Sequence, residues 1–319
     1  MSDILTIDGN YDGRADMAAA YLLVDSGEGA FIDNVTSHAV PQMLEALTLA
    51  GLRPEDVRYL IITHVHLDHA GGTSSLLQRC PNAQVIAHPR AAPHVIDPAR
   101  LLKSARQVYG DEAFDRVYGQ IDPVPEARVR SMEDGETLVL GSRTLTFHHT
   151  RGHANHHFCI ADSGSGSVFT GDAFGVHYPP LQEKGVFAFP STSPTDFDGP
   201  LARESIRRLV DLKPTVIYPT HFGALGDVEE RANQMIRHLE FSEQLMLEAQ
   251  ASDVEDEGLA GYCDTALQAY FQDYLAERGL GDDARYRELM AMDLELNAQG
   301  LAFVAAKRRR KEREARAAS

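Results

Sequence analysis

At 319 residues the chain can hold one large domain with an appendage or two domains, and its 43% hydrophobic and 24% charged content is ordinary for a globular protein. A net charge of −17 argues against a nucleic-acid partner and, more weakly, against a polyanionic substrate drawn in by long-range steering. No apolar run approaches the ~20 residues that span a membrane, and Met1-Ser2-Asp3-Ile4 opens no basic-then-apolar leader, so neither a membrane partner nor a signal peptide is expected.

In chain order, Ala20-Tyr21-Leu22-Leu23-Val24 and Ala30-Phe31-Ile32-Asp33 flank Asp25-Ser26-Gly27-Glu28-Gly29 and read as a β-hairpin. Val40, Leu44, Leu47 and Leu49 recur at helical spacing, giving a helix over 38–50 that stops at Gly51. Val57-Arg58-Tyr59-Leu60-Ile61-Ile62 is a buried strand, and Gln84-Val85-Ile86-Ala87 another, so 57–87 forms a βαβ unit. Residues 89–120 are irregularly helical. Strands follow at 137–140, 144–148, 158–161 and 168–170, the last two joined by a turn over Asp162–Ser167. A helix over 196–211 precedes a closing strand at 215–218. From about 226 the strand signal disappears, and helical patterns run on with breaks expected at Gly258, Gly261, Gly279-Leu280-Gly281 and Gly300. The basic run Lys307-Arg308-Arg309-Arg310-Lys311 reads as a solvated helix end. Cys80, Cys159 and Cys263 are far apart and odd in number, which is no disulfide framework and makes a reducing cytoplasm the expected location.

The chemistry concentrates in Thr63-His64-Val65-His66-Leu67-Asp68-His69-Ala70-Gly71-Gly72, between the strand at 57–62 and a tight turn into a helix. In an extended loop, residues two apart point the same way, so His64 and His66 can reach one metal ion together. Asp68 and His69, on the turning chain, would aim at a second point, and paired catalytic ions sit roughly 3.5–4 Å apart. With 14 histidines in the chain, this arrangement would arise by chance only roughly twice in a thousand such sequences. Imidazole and carboxylate without a nearby Cys suit zinc, iron, manganese or nickel, and disfavour a closed structural zinc site.

Three more segments offer ligands just after strands: Thr150-Arg151-Gly152-His153-Ala154-Asn155-His156, Thr170-Gly171-Asp172-Ala173 and Pro219-Thr220-His221-Phe222-Gly223. His148, His149, His156, His157 and His177 are read as supporting or sheet residues, with at most one of His148, His149 and His177 touching substrate. Tyr178, Phe187, Phe189 and Phe222 could wall a pocket or pack a core.

Together these motifs resemble the metallo-β-lactamase superfamily over roughly residues 15–225. The resemblance implies an α/β (α+β) fold, the αββα sandwich, in a domain of residues 1–225 with an α-helical C-terminal extension of residues 226–319. It implies that His64, His66 and His153 hold one ion and Asp68, His69 and His221 a second, with Asp172 bridging them. Asp68 would also orient the nucleophile as the catalytic residue. Two divalent metal ions are expected, zinc first, with iron or manganese as alternatives. Within the superfamily the metal motif looks like that of glyoxalase II, but the glutathione-binding pattern is not found after residue 226. The segment Pro190–Phe197 and the ending Tyr218–Gly223 resemble an uncharacterised prokaryotic subgroup of metallo-hydrolases with a helical C-terminal part. The expected activity is hydrolysis of an ester, thioester or lactone by a metal-bridging hydroxide, with phosphodiesters further out. The alternative is a diiron protein that binds or reduces dioxygen or nitric oxide. Against it, the flavodiiron reductases carry Glu where this chain has His66, and no flavodoxin-like stretch is read here. A third reading is a metal-keeping regulatory protein whose pocket is closed by the C-terminal helices. The expected partner is a small-molecule substrate, and the helices after 226 are read as a lid or a homodimer interface.

Overall fold

A computed structural model describes residues 4–192 and 196–317. The chain divides into two compact units. The first comprises Met1–His149, His156–Gly171 and Leu212–Val228, and the second Thr150–Asn155, Asp172–Asp211 and Glu229–Ser319. Ser193, Pro194 and Thr195, within the segment Pro190–Phe197 noted for its family resemblance, lie outside the described residues.

In the first unit, β1 (Ile4–Asp8), β2 (Ala19–Asp25), β3 (Glu28–Ile32), β4 (Val57–Ile61), β5 (Gln84–Ala87) and β6 (Val129–Ser131) make one sheet in sequence order. β1 to β3 pair antiparallel, and β3 to β6 pair parallel. The expected hairpin is β2–β3, turned by Ser26 (φ 52°) and Gly27 (φ 79°), the two positive angles that match the strands' twist. β1 and β6 are additional to the strands read from the sequence. The expected helix near residue 40 is α1 (Val40–Leu49), and the turn after the histidine loop holds α2 (Leu67–Ala70) and α3 (Thr73–Arg79). The irregular stretch resolves into α4 (Ala92–Ile96), α5 (Ala99–Tyr109) and α6 (Asp111–Tyr118).

A second sheet takes β7 (Thr137–Leu140), β8 (Arg143–His149), β9 (Phe158–Asp162), β10 (Ser167–Val176) and β11 (Ile217–His221), in the order β11-β10-β9-β8-β7. Side-chain alternation along the strands builds two cores. From β2, Leu22 faces Met43, Leu47, Leu76 and Leu77 of the helices, while Tyr21 and Leu23 face Leu145, Phe147, Phe158 and Phe169 of the second sheet. Each such fully buried Leu or Phe contributes roughly 1.5–3 kcal/mol of burial. This mixed α/β arrangement, two sheets with a C-terminal helical region, is the expected fold class.

Two ligand segments expected just after strands lie within them: Pro219-Thr220-His221 is the end of β11, which starts at Ile217 rather than Thr215, and the second segment is in β10. Thr170-Gly171-Asp172 reads as a turn after a strand, yet it lies inside the ten-residue β10. Gly171 takes φ 47° there, and a Cβ at that position would stand 2.6 Å from the Thr63 hydroxyl. The glycine bends the strand without ending it.

The second unit contains α7 (Gly199–Asp211), α8 (Val228–Ala251, from Glu229 on), α9 (Leu259–Glu277) and α10 (Ala284–Ala317). Phe187 lies 5.1 Å from Tyr274 and Phe189 5.9 Å from Phe271, ring to ring, so the segment after β10 is packed on α9 by aromatic edges. Helix breaks occur at Gly258 and at Gly279, as expected. Gly261 and Gly300 instead lie inside α9 and α10. A single interior glycine costs only about 1 kcal/mol against alanine, less than the packing around it returns. The basic run is not wholly solvated. Arg309 donates to the carbonyls of Ala249, Gln250, Ser252 and Val254 and so closes the C-terminal end of α8.

Candidate metal centre

β4 delivers the histidine loop. The Asp33 carboxylate, at the end of β3, accepts from the Thr63 N–H at 2.8 Å and from its hydroxyl at 3.0 Å, fixing where β4 stops. The chain then turns into α2 and α3, with the Asn34 N–H on the His69 carbonyl and the Gly72 N–H on the Val35 carbonyl. That close approach explains the paired glycines. A Cβ on Gly72 would sit 2.2 Å from the Asn34 carbonyl oxygen, and one on Gly71 2.4 Å from that of Leu67.

Five of the residues singled out in the sequence come together in the first unit: His64, His66, Asp68, His69 and His221. His64 Nε2 and His66 Nδ1 are 2.8 Å apart. Asp68 Oδ2 lies 3.5 Å from His69 Nε2 and 3.3 Å from His221 Nε2, so these three converge on one point. His64, His69 and His221 are buried, His66 and Asp68 half-buried. In the second unit His153 Nε2 lies 3.4 Å from Asp172 Oδ2, both groups buried.

The far side of each ring decides whether this donor set fits a metal. His69 Nδ1 is 2.8 Å from the Asp33 carboxylate, His221 Nδ1 2.6 Å from the Met17 carbonyl, and His153 Nδ1 3.0 Å from the Ser191 carbonyl. Each partner only accepts, so each Nδ1 carries the proton and each Nε2 presents a lone pair beside a carboxylate. His64 Nδ1 is 3.2 Å from the Thr63 hydroxyl, whose own proton goes to Asp33, so the same logic extends to His64. Imidazole lone pairs and carboxylate oxygens, oriented from behind by hydrogen bonds, are what a divalent transition metal takes. The set fits. Burial alone would push the Asp68 carboxyl up; when His69 and His221 carry a second proton, on Nε2, their charge and hydrogen bonds outweigh burial and hold Asp68 well below the usual carboxylate range.

Sequence reasoning misses Asp33. It is 1% exposed and also takes the Thr220 hydroxyl at 2.5 Å, so it ties together the strand ends that carry His64, His69 and His221. Its only signal is an Asp closing an apolar strand run. Tyr21, which no motif marks, donates to the Pro219 carbonyl and accepts from the Gly223 N–H at 3.1 Å, bracketing His221.

The other candidates fall outside the cluster or beside it. The His157 ring lies 4.9 Å from that of His64, and the His156 ring 5.5 Å from that of His66. His149 Nε2 meets the Met132 carbonyl at 2.9 Å, while His177 is held by the Phe174 carbonyl at 2.8 Å and Arg231 at 3.0 Å. Tyr178, Phe187 and Phe189 are buried core residues of the second unit, and Phe222 packs on the core between the sheets. Burial pushes the Cys80 thiol up to about 12 and that of Cys263 up to about 11, which leaves neither a nucleophile at neutral pH.

The family model described as the metallo-beta-lactamase superfamily matches residues 13–221. A metallo-beta-lactamase fold-containing protein of Sulfurisphaera tokodaii is 31% identical over 184 residues, 56% of this chain and 66% of that protein. A Burkholderia pseudomallei protein carrying the name "Probable metallo-hydrolase" is 28% identical over 244 residues, 68% of this chain and 72% of its own. The chain spans about half to two thirds of the length of the first curated relatives it matches. Among solved structures, an archaeal superfamily protein from Sulfolobus tokodaii aligns with TM-score 0.64 at 22% identity, over 94% of this chain and 98% of that one. A Thermus thermophilus family protein aligns at 0.63 and 22% identity, over 98% and 95%. The chemotaxis sensor ODP, solved as a peroxy diiron species, aligns at 0.52 and 16% identity, over 74% and 91%. These likenesses are of fold.

Proposed function

The chain belongs to the metallo-beta-lactamase superfamily, and from that premise we propose a dinuclear metal-dependent hydrolase acting on an ester, thioester or lactone-type small molecule. The observation that carries the reading is the backing of the rings: Asp33, the Met17 carbonyl and the Ser191 carbonyl fix His69, His221 and His153 with Nε2 as the free-electron side. Asp68, His69 and His221 would hold one ion, and His64 and His66 would offer two nitrogens to the other. His153 and Asp172 would be the remaining ligands, as the family resemblance implies.

Bound divalent ions would supply a water whose pKa falls from 15.7 toward ~7 and would polarise the substrate carbonyl. The protein's own groups do the rest. Asp68, beside His69 and His221, would accept a hydrogen bond from the attacking water or hydroxide and set its direction. Asp33 stays dry and keeps His64 and His69 in one tautomer through the cycle. No Ser or Cys nucleophile is needed.

Zinc is the first expectation. A superfamily relative named as a metallo-hydrolase supports hydrolysis, and the fold likeness to a diiron sensor keeps an oxygen-binding iron protein as the second reading. The net charge of −17 favours a small-molecule substrate over nucleic acid. No helix among the described residues is long and apolar enough to cross a membrane, and three buried cysteines outside any disulfide suit the cytoplasm.

Elemental analysis of protein purified without added metal or chelator tests this directly. About two equivalents of zinc or manganese per chain, with turnover on an ester and thioester panel that Asp172→Ala abolishes, is the expected result. Full metal content and activity in Asp172→Ala would sink the ligand assignment. About two equivalents of iron, with absorption that differs between air and nitrogen, would move the diiron reading ahead.

A further inference from the structure

Asn297 lies on α10, far along the chain from the loop Thr150–Asn155, yet it reaches the segment whose carbonyl backs His153. Three hydrogen bonds make that reach. Asn297 Oδ1 accepts from the Thr192 N–H at 2.6 Å, its Nδ2 donates to the Pro190 carbonyl at 2.8 Å, and its backbone carbonyl accepts the Thr192 hydroxyl at 3.1 Å. Asn297 is 3% exposed and Thr192 fully buried, so water does not compete for these bonds. An asparagine suits the place because one planar group carries a donor and an acceptor together. Between the two clamped residues sits Ser191, whose carbonyl takes the His153 Nδ1 proton at 3.0 Å. The loop of His153 is itself held by the Asp198 N–H on the Gly152 carbonyl and the Ser205 hydroxyl on the Arg151 carbonyl. His153, Asp172, Pro190, Ser191, Met235 and Leu239 line one narrow cavity.

We propose that Asn297 is a positioning residue for the His153 imidazole, acting through the Ser191 carbonyl, so that α10 sets the aim of a metal ligand. This rests on the reading of His153 as a ligand. Satisfying buried backbone groups is a role that any fold asks of a buried Asn, and it would leave metal affinity alone. Control of the Ser191 carbonyl would not.

The test is cobalt(II) titration of the full chain, followed by visible absorption, well below the unfolding temperature of each variant. Asn297→Ala should bind cobalt about tenfold more weakly, as loss of a group that backs a ligand does, with a changed spectrum. Thr192→Val should weaken binding by a smaller factor, and Thr192→Ser, which keeps the hydroxyl, should restore it. Tyr286→Phe removes a different α10 hydrogen bond, to Glu183, and should bind as the parent does. Parent-like affinity and spectrum in a folded Asn297→Ala would overturn the proposal, as would equal weakening in Tyr286→Phe. If Asn297→Ala does not fold, the Thr192 pair decides, and identical affinity in the two overturns it. A parent chain that binds no cobalt overturns the metal reading as well, which separates the two failures.

Discussion

The two units hold their candidate ligands in different ways. In the first, one buried side chain does most of it: Asp33 reaches Thr63, Thr220 and His69 directly and His64 through Thr63. In the second, His153 leans on a backbone carbonyl, and that carbonyl is held by a helix remote in sequence. A carboxylate hub concentrates the cost of failure in one residue, whereas a carbonyl on a clamped segment spreads it over several. Damage to the first should therefore be abrupt and damage to the second graded.

The sharpest way to break this contrast is Asp33→Ala. It strips the acceptor from two N–H or ring donors and two hydroxyls in a dry site, and should cost about 3 kcal/mol or more in urea unfolding, along with metal content. An unfolding midpoint equal to the parent's would show that Asp33 is no hub. Next comes Gly152→Ala in the second unit, where φ is 120° and the new Cβ would stand 2.2 Å from the Ala202 nitrogen. We expect about 1–3 kcal/mol of destabilisation from overpacking, with weaker metal binding. Unchanged stability would mean that the His153 loop yields more readily than its contacts suggest.

The smallest effect sharpens the comparison by pH. Burial pushes His88 in the first unit and His238 in the second down to about 3. Both rings stay neutral in the folded state below the pH at which the unfolded chain, with pKa near 6.5, takes up protons. The unfolded state then binds more protons, so stability is intact above about 6.5 and falls as pH drops toward 3, by about 1.4 kcal/mol per pH unit for each ring. Unfolding free energies measured from pH 7 to pH 5 should decline, and a His238→Gln chain should decline less steeply. Equal slopes would show that His238 is charged or solvated when folded.

What can be read from the sequence is local. Six positions from His64 to His69 carry their own geometry, and paired glycines advertise a close backbone approach. Strands and helices with clean periodicity, such as β2 to β5 and α1, are legible for the same reason. Asp33 is not, because its partners lie 30 to 187 residues away and spacing arguments see only neighbours. Asn297 and Arg309 sit in polar helical stretches where nothing marks one residue as buried. Thr170-Gly171-Asp172 misleads for a physical reason: glycine followed by aspartate is turn chemistry, and only the sheet around β10 keeps the strand going.

The clasp at the end of α8 bears on how the chain would be trimmed. Proteases that cut after Lys and Arg find five consecutive target bonds at 307–311. A cut after Arg310 leaves the Arg309 guanidinium on its four carbonyls. A cut after Arg308 removes it, and the 24-residue α8 is left with an open end that water must satisfy. A single residue, Arg309, separates a nick that keeps this clasp from one that loosens the helix.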